Sequence, residues 1–110
     1  MCGIFGYIGN SQAPDKVFAG LKDIEYRGYD SWGVAFFDKN KFSTVKKVGF
    51  LPKTYNFPSS NLAIGHTRWA THGGVTETNA HPHSSCDNKL VLVHNGIVEN
   101  HEELKTELTK

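Results

Sequence analysis

The chain opens on an alternation, Ile4, Gly6 and Ile8 against Phe5 and Tyr7, which predicts a buried strand over Gly3–Ile8 at the N-terminus. The period then changes. Val17, Phe18, Leu21 and Ile24 recur at helical spacing and predict an amphipathic helix over residues 14–25. Ser11 offers an N-cap, Pro14 suits a first helical turn, and Asp15 sits where the helix dipole is positive. Residues 26–31 are polar and glycine-bearing, a loop. Residues 34–37 form an apolar strand, Lys39-Asn40-Lys41 a hairpin turn, and residues 42–48 a return strand with one wet face. Residues 49–61, with Pro52 and Pro58, read as irregular.

A short apolar strand over 62–65 precedes a polar stretch, 66–88, that has neither the strand nor the helix period. Residues 90–93 (Leu-Val-Leu-Val) are apolar on both faces, which predicts a strand placed centrally in a sheet. His94-Asn95-Gly96 is a sharp turn. Asn100, with Glu103 three residues on, resembles a capping box and opens a helix carrying Leu104 and Leu108 one turn apart. There is no internal repeat and no linker. The pattern is that of one small α+β domain.

Composition narrows the partners. Lys and Arg number 12 against 11 Asp and Glu, a formal charge of +1 that supplies no electrostatic reason to expect nucleic acid or an acidic membrane surface. Hydrophobic residues at 38% and aromatics at 12% sustain a packed core. Cys2 and Cys86 do not make a disulfide framework. The first residues lack a basic leader region, and no stretch approaches the roughly 18 apolar residues of a membrane span. The expected setting is cytoplasmic.

The stretch 66–88 holds four of the six histidines, with Arg68, Trp69 and Cys86. A structureless segment of that length inside a compact domain points to function. Arg68 can bind a carboxylate bidentately, although a surface ion pair would use the same residue. The amide of Asn95 and the N–H of Gly96 can converge on one oxygen, or form an ordinary turn. His81-x-His83 with Cys86 could offer three ligands to zinc, but no C-x-x-C pair accompanies them, so neither metal nor cofactor is expected. Cys2 is the sharpest candidate. Once Met1 is removed, it carries a thiol and a free α-amino group on one residue. An α-amine titrates near neutrality, at about 7.7–8.0, and can accept a thiol proton without a separate histidine base. The plainer reading is a small residue opening a strand.

Five segments resemble the class II glutamine amidotransferases, a branch of the N-terminal-nucleophile hydrolases. They are Met1-Cys2-Gly3-Ile4-Phe5-Gly6-Tyr7-Ile8-Gly9, the run from Leu21 through Tyr26-Arg27-Gly28-Tyr29-Asp30-Ser31, Gly65-His66-Thr67-Arg68-Trp69-Ala70-Thr71-His72-Gly73, Asn79-Ala80-His81-Pro82-His83 and His94-Asn95-Gly96-Ile97-Val98-Glu99-Asn100. The match is strongest to members that aminate a sugar phosphate. Amidophosphoribosyltransferases are the runner-up, and a catalytically silent fragment is the third reading.

The resemblance implies an αββα sandwich of which residues 1–110 are the first half. It implies hydrolysis of L-glutamine by Cys2 as nucleophile, with Asn95 and Gly96 as oxyanion hole. Arg68, Trp69, Thr71 and His72 then belong to the loop that closes over glutamine, Arg68 taking the α-carboxylate, and Arg27 orients the nucleophile. Ammonia passes to fructose 6-phosphate in a sugar-isomerase domain outside these residues, in a homodimer. Trp32 replaces a small residue of the family, and Val75 a common proline. The residue that binds the glutamine amine also lies outside, so the 110 residues alone are not expected to make a working enzyme.

Overall fold

The computed structural model describes residues 2–71 and 73–110; Met1 and the predicted site residue His72 lie outside the described residues. Chain order is β1 (Gly3–Ile8), α1 (Ala13–Ile24), a 3-10 turn (Glu25–Arg27), β2 (Ser31–Asp38), β3 (Lys41–Val48), β4 (Leu62–Arg68), β5 (His83–Ser84), β6 (Val91–Leu92) and α2 (His101–Leu108). The first four strands make one antiparallel sheet in the order β1-β4-β2-β3, and β5 and β6 pair as a separate two-stranded ribbon.

Helix α1 covers one face of the sheet through Ala13, Val17, Phe18 and Leu21, all buried. Burying each larger apolar side chain contributes roughly 1.5–3 kcal/mol. Gly65 lies directly beneath: a Cβ there would stand 2.6 Å from Val17 and 2.7 Å from Leu21, so glycine sets how closely helix and sheet approach. Trp32 finds its room in this layer, edge-on to Phe18 and to Tyr55 at 5.9 Å each. The irregular segment 49–61 supplies that cover through Leu51, Tyr55 and Phe57. The β2–β3 hairpin turns at Lys39 and Asn40, both with positive φ, as a two-residue turn matching strand twist requires.

Five expectations need correction. Strand β1 has the expected bounds but is not buried: it lies at the sheet edge, paired only with β4, and Ile4, Phe5 and Ile8 are exposed. Helix α1 is capped at Gln12 rather than Ser11, without a side-chain bond, because the Ser60 carbonyl takes the Ala13 N–H at 2.9 Å. Strand β4 runs three residues further than its apolar run, to Arg68, since both neighbours continue to pair with it: Gly3 and Ile4 on one side, Ser31 to Gly33 on the other. The apolar run 90–93 is not a central strand. Only Val91 and Leu92 pair, against His83 and Ser84, and Leu90 and Leu92 stay exposed. Asn100 does precede α2, but its side chain makes no capping bond, and α2 buries no residue.

The extension of β4 positions the site. Alternation turns Gly65 and Thr67 toward α1 and leaves His66 and Arg68 on the opposite face. There a second layer begins. Lys46 Nζ donates to the Ala80 carbonyl at 2.9 Å, Thr44 and Ser84 hydroxyls meet at 3.3 Å, and Gly33 lies against the His81 carbonyl. Among the described residues no helix is long and apolar enough to cross a membrane.

Candidate active site

Cys2 immediately precedes Gly3, which pairs with Thr67, so the register sets Cys2 beside Arg68 at the end of the sheet. The Trp69 backbone N–H donates to Cys2 Sγ at 3.3 Å, and the thiol faces the Trp69 carbonyl at 3.6 Å. The Trp69 peptide is held from behind. A Cβ on Gly28 would lie 2.7 Å from both Arg68 C and Trp69 N, so only glycine fits there. The Asp30 N–H donates to the Arg68 carbonyl at 2.9 Å, and Asp30 Oδ2 accepts the Ala70 N–H at 2.6 Å. The Trp69 ring, 42% exposed, stands edge-on to Tyr29 at 5.4 Å, and Tyr29 stacks on Phe50 at 5.0 Å.

Asn95 reaches Cys2 from the far end of the chain, its Nδ2 donating to the Cys2 carbonyl at 3.1 Å. Its Oδ1 meets His66 Nε2 at 2.8 Å. A carbonyl can only accept, which orients the Asn95 amide and requires His66 Nε2 to carry the proton. Gly96 follows with φ of 136°, a region that favours glycine. Arg68 is 7% exposed, and its Nη1 donates to the Gly74 carbonyl at 2.7 Å. Asn79 Nδ2 donates to the same oxygen at 3.0 Å, holding the 73–74 turn over the site.

These groups surround a cavity of about 800 Å³ lined by Cys2, Arg68, Trp69, Thr71 and Gly96 together with His66, His81 and His83. Asn95 joins the cluster through its hydrogen bonds. Arg27 does not line the cavity. It ends the 3-10 turn one residue before Gly28.

The histidine wall is neutral. Burial pushes His66 down to about 4, the Asn95 and His94 bonds opposing only in part. His81, stacked on His66 at 4.4 Å, is lowered to about 3 by burial and then by the neighbouring His66 and His83. His83 is lowered by burial and by Lys46. Among the described residues no group of three His, Cys, Asp or Glu is arranged to hold a metal ion. The site therefore joins a thiol, amide donors, a guanidinium and an uncharged wall, a set suited to acyl transfer from a small zwitterion. Sequence reasoning assigned no role to Asp30, His66, His81 or Asn79. All four lie in the segments that resemble the family, and the concentration of histidines in 66–88 pointed further to His66 and His81.

Residues 1–109 match the family described as glutamine amidotransferases class-II. The chain belongs to that family. Glutamine–fructose-6-phosphate aminotransferase (isomerizing) of Pyrococcus horikoshii is 54% identical over 115 residues, covering 100% of this chain and 19% of its own length. The enzyme of that name from Methanococcus maripaludis is 52% identical over 110 residues, covering 96% of this chain and 18% of its own. The chain thus spans about a fifth of the relatives it matches. Two solved structures share the fold. The glutamine phosphoribosylpyrophosphate amidotransferase of B. subtilis, complexed with ADP and GMP, superimposes with a TM-score of 0.80 at 29% identity, over 99% of this chain and 25% of its own. A second, described as the allosteric regulatory enzyme of purine biosynthesis, gives 0.82 at 31% identity, again over 99% of this chain and 25% of its own. The α+β architecture is accordingly that of the N-terminal-nucleophile amidotransferases. Helix α1 on the four-stranded sheet and the separate β5–β6 ribbon are its elements here.

Proposed function

We propose that residues 1–110 are the first part of the glutamine-hydrolysing domain of a glutamine–fructose-6-phosphate aminotransferase, whose sugar-isomerase domain lies outside them. One observation carries this reading: Cys2 Sγ accepts the Trp69 N–H at 3.3 Å while the Asn95 amide holds the Cys2 carbonyl at 3.1 Å, beside buried Arg68. With Met1 removed, the Cys2 amine takes the thiol proton and the thiolate attacks the glutamine amide carbon. The Asn95 amide nitrogen bears two hydrogens, one on the Cys2 carbonyl and one for the developing oxyanion, with the Gly96 N–H as second donor. Collapse breaks the C–N bond, the amine returns its proton to the leaving ammonia, and water hydrolyses the thioester to glutamate. Arg68 takes the substrate α-carboxylate, Trp69, Thr71 and His72 close over the ligand, and Arg27 orients the nucleophile.

The ammonia acceptor in this reading is fructose 6-phosphate. Sequence identity of 48–54% to the aminotransferases, against 29–31% to the amidophosphoribosyltransferase folds, supports it over the runner-up. This reading expects a homodimer of the full-length protein, and the free cysteines Cys2 and Cys86 suit a reducing cytoplasmic setting. The test is glutamate release by the full-length protein. Cys2→Ala should abolish it while calorimetric glutamine binding persists, and formation of glucosamine 6-phosphate rather than phosphoribosylamine identifies the acceptor. Undiminished release from Cys2→Ala would refute the reading.

A further inference from the structure

His66 is 1% exposed on the central strand β4, and none of the chemistry proposed above uses it. Burial of a histidine that deeply costs stability unless its polar atoms are engaged. Its Nε2 meets Asn95 Oδ1 at 2.8 Å, and the Cys2 carbonyl on the other side of Asn95 accepts only an N–H. The bond direction is therefore fixed along the whole relay, from His66 Nε2–H to Asn95 Oδ1 and from Asn95 Nδ2–H to the Cys2 carbonyl. A second imidazole supports the same turn. His81 stacks on His66 at 4.4 Å, and its Nδ1 accepts the His94 N–H at 3.3 Å, so consecutive residues His94 and Asn95 are each held by one ring.

We propose that His66 is a positioning residue for glutamine hydrolysis: its Nε2–H locks the Asn95 side chain in the one amide orientation that turns N–H groups, rather than oxygen, toward the nucleophile. An Asn amide rotated by half a turn would present its oxygen to the developing oxyanion, converting a stabilising donor into a repulsive acceptor. Holding the donor in place before reaction is what makes such a group effective. Burial keeps the His66 ring neutral, so the relay carries no charge that would compete with the thiolate. This rests on Cys2 and Asn95 acting as proposed above.

The experiment uses the full-length protein with His66→Phe, which keeps a ring and removes the donor, and His66→Gln, which returns an amide N–H near Nε2. His66→Phe should lower kcat for glutamate release about 10- to 100-fold with KM for glutamine within about twofold, because the lost contact matters in the transition state. His66→Gln should recover most of that loss. In an Asn95→Ala background His66→Phe should cost almost nothing more. Additive losses, no recovery with Gln, or a KM change as large as the kcat change would overturn the proposal. Should His66→Phe fail to fold, nitrogen-15 spectra of the unaltered protein decide. A neutral Nε2–H tautomer at pH 7 agrees with the relay, and an Nδ1–H tautomer or an imidazolium overturns it. If Cys2→Ala retains turnover, the functional reading fails independently of these spectra.

Discussion

The Trp69 backbone N–H points at Cys2 Sγ from 3.3 Å, joining the thiol to the residue that follows β4. That N–H holds the sulfur in place at the end of the sheet. Activation still requires a proton acceptor, and the one proposed is the α-amine that Met1 removal exposes. Full-length protein retaining Met1 should release no glutamate, because its Cys2 nitrogen is a peptide N–H. Intact-mass analysis of an active preparation should find Met1 missing. Full turnover with Met1 attached would contradict the amine's role.

Arg68 has two tasks that a single substitution will expose. It holds the Gly74 carbonyl at 2.7 Å, and by the proposed reading it takes the glutamine carboxylate. Arg68→Ala should weaken glutamine by about 2–4 kcal/mol, read as a raised KM. Arg68→Lys should recover only part, since a point charge cannot bridge two oxygens as the guanidinium fork does. Unchanged kinetics in Arg68→Ala would move the carboxylate site elsewhere.

Gly28 tests the support behind Cys2. An added methyl would sit 2.7 Å from Arg68 C and Trp69 N, both backbone atoms that cannot swing aside. Gly28→Ala should therefore shift the 68–69 peptide away from Cys2, lower kcat at least tenfold, and cost about 1–3 kcal/mol of stability, in line with overpacked sites. Thermal melts with parallel glutamate assays measure both. A fully active, equally stable variant would show that the peptide has room to move.

These residues also show where the sequence was legible. The β1 alternation yields the bounds Gly3–Ile8 but not the burial, because β1 is an edge strand paired only with β4 and the period of two says nothing about what covers either face. Strand β4 looked three residues too short because His66, Thr67 and Arg68 are polar; His66 and Arg68 face the cavity, while Thr67 turns toward α1. The Leu-Val-Leu-Val run misled in the opposite sense, since hydrophobicity alone does not supply partner strands. Cys2, Arg68 and Asn95 were singled out by side-chain chemistry together with the family resemblance, and the structure brings them together. Asp30 and His81 were not, because each acts through contacts with the backbone of a distant segment, which leave no local periodicity.

Acid should disable the protein before it disables an ordinary fold of this size. His66 is lowered to about 4 in the folded state by burial, against 6.5 unfolded, and His81 and His83 are lowered in the same direction. Between those values the unfolded chain binds more protons than the folded one, so stability is full above about pH 6.5 and declines as pH falls toward 4. The His66 contribution to that slope approaches about 1.4 kcal/mol per pH unit. Denaturant midpoints across pH 4–8 should show the decline, and His66→Gln should flatten it. A midpoint independent of pH over that window would mean the histidines are hydrated and charged.

The last expectation concerns residues 1–110 expressed alone. Only the α1 face of the main sheet is well covered. On the opposite face β5 and β6 contribute two residues each, and Ile4, Phe37, Leu90 and Leu92 remain exposed, with Ile8 at 76%. Helix α2 buries nothing and leaves Leu108 open. Apolar surface distributed in this way calls for covering structure, and exposed strand edges invite pairing between copies. The isolated segment should self-associate, melt broadly, and release no measurable glutamate even after Met1 is removed, since the cavity is walled on one side by the 91–98 stretch that has little packed behind it. Light scattering, a thermal melt and a glutamate assay on the segment and the full-length protein make the comparison. A monomer with a sharp melt and full-length turnover would show instead that α1, the four-stranded sheet and the short ribbon suffice to hold Cys2, Arg68 and Asn95 in working geometry.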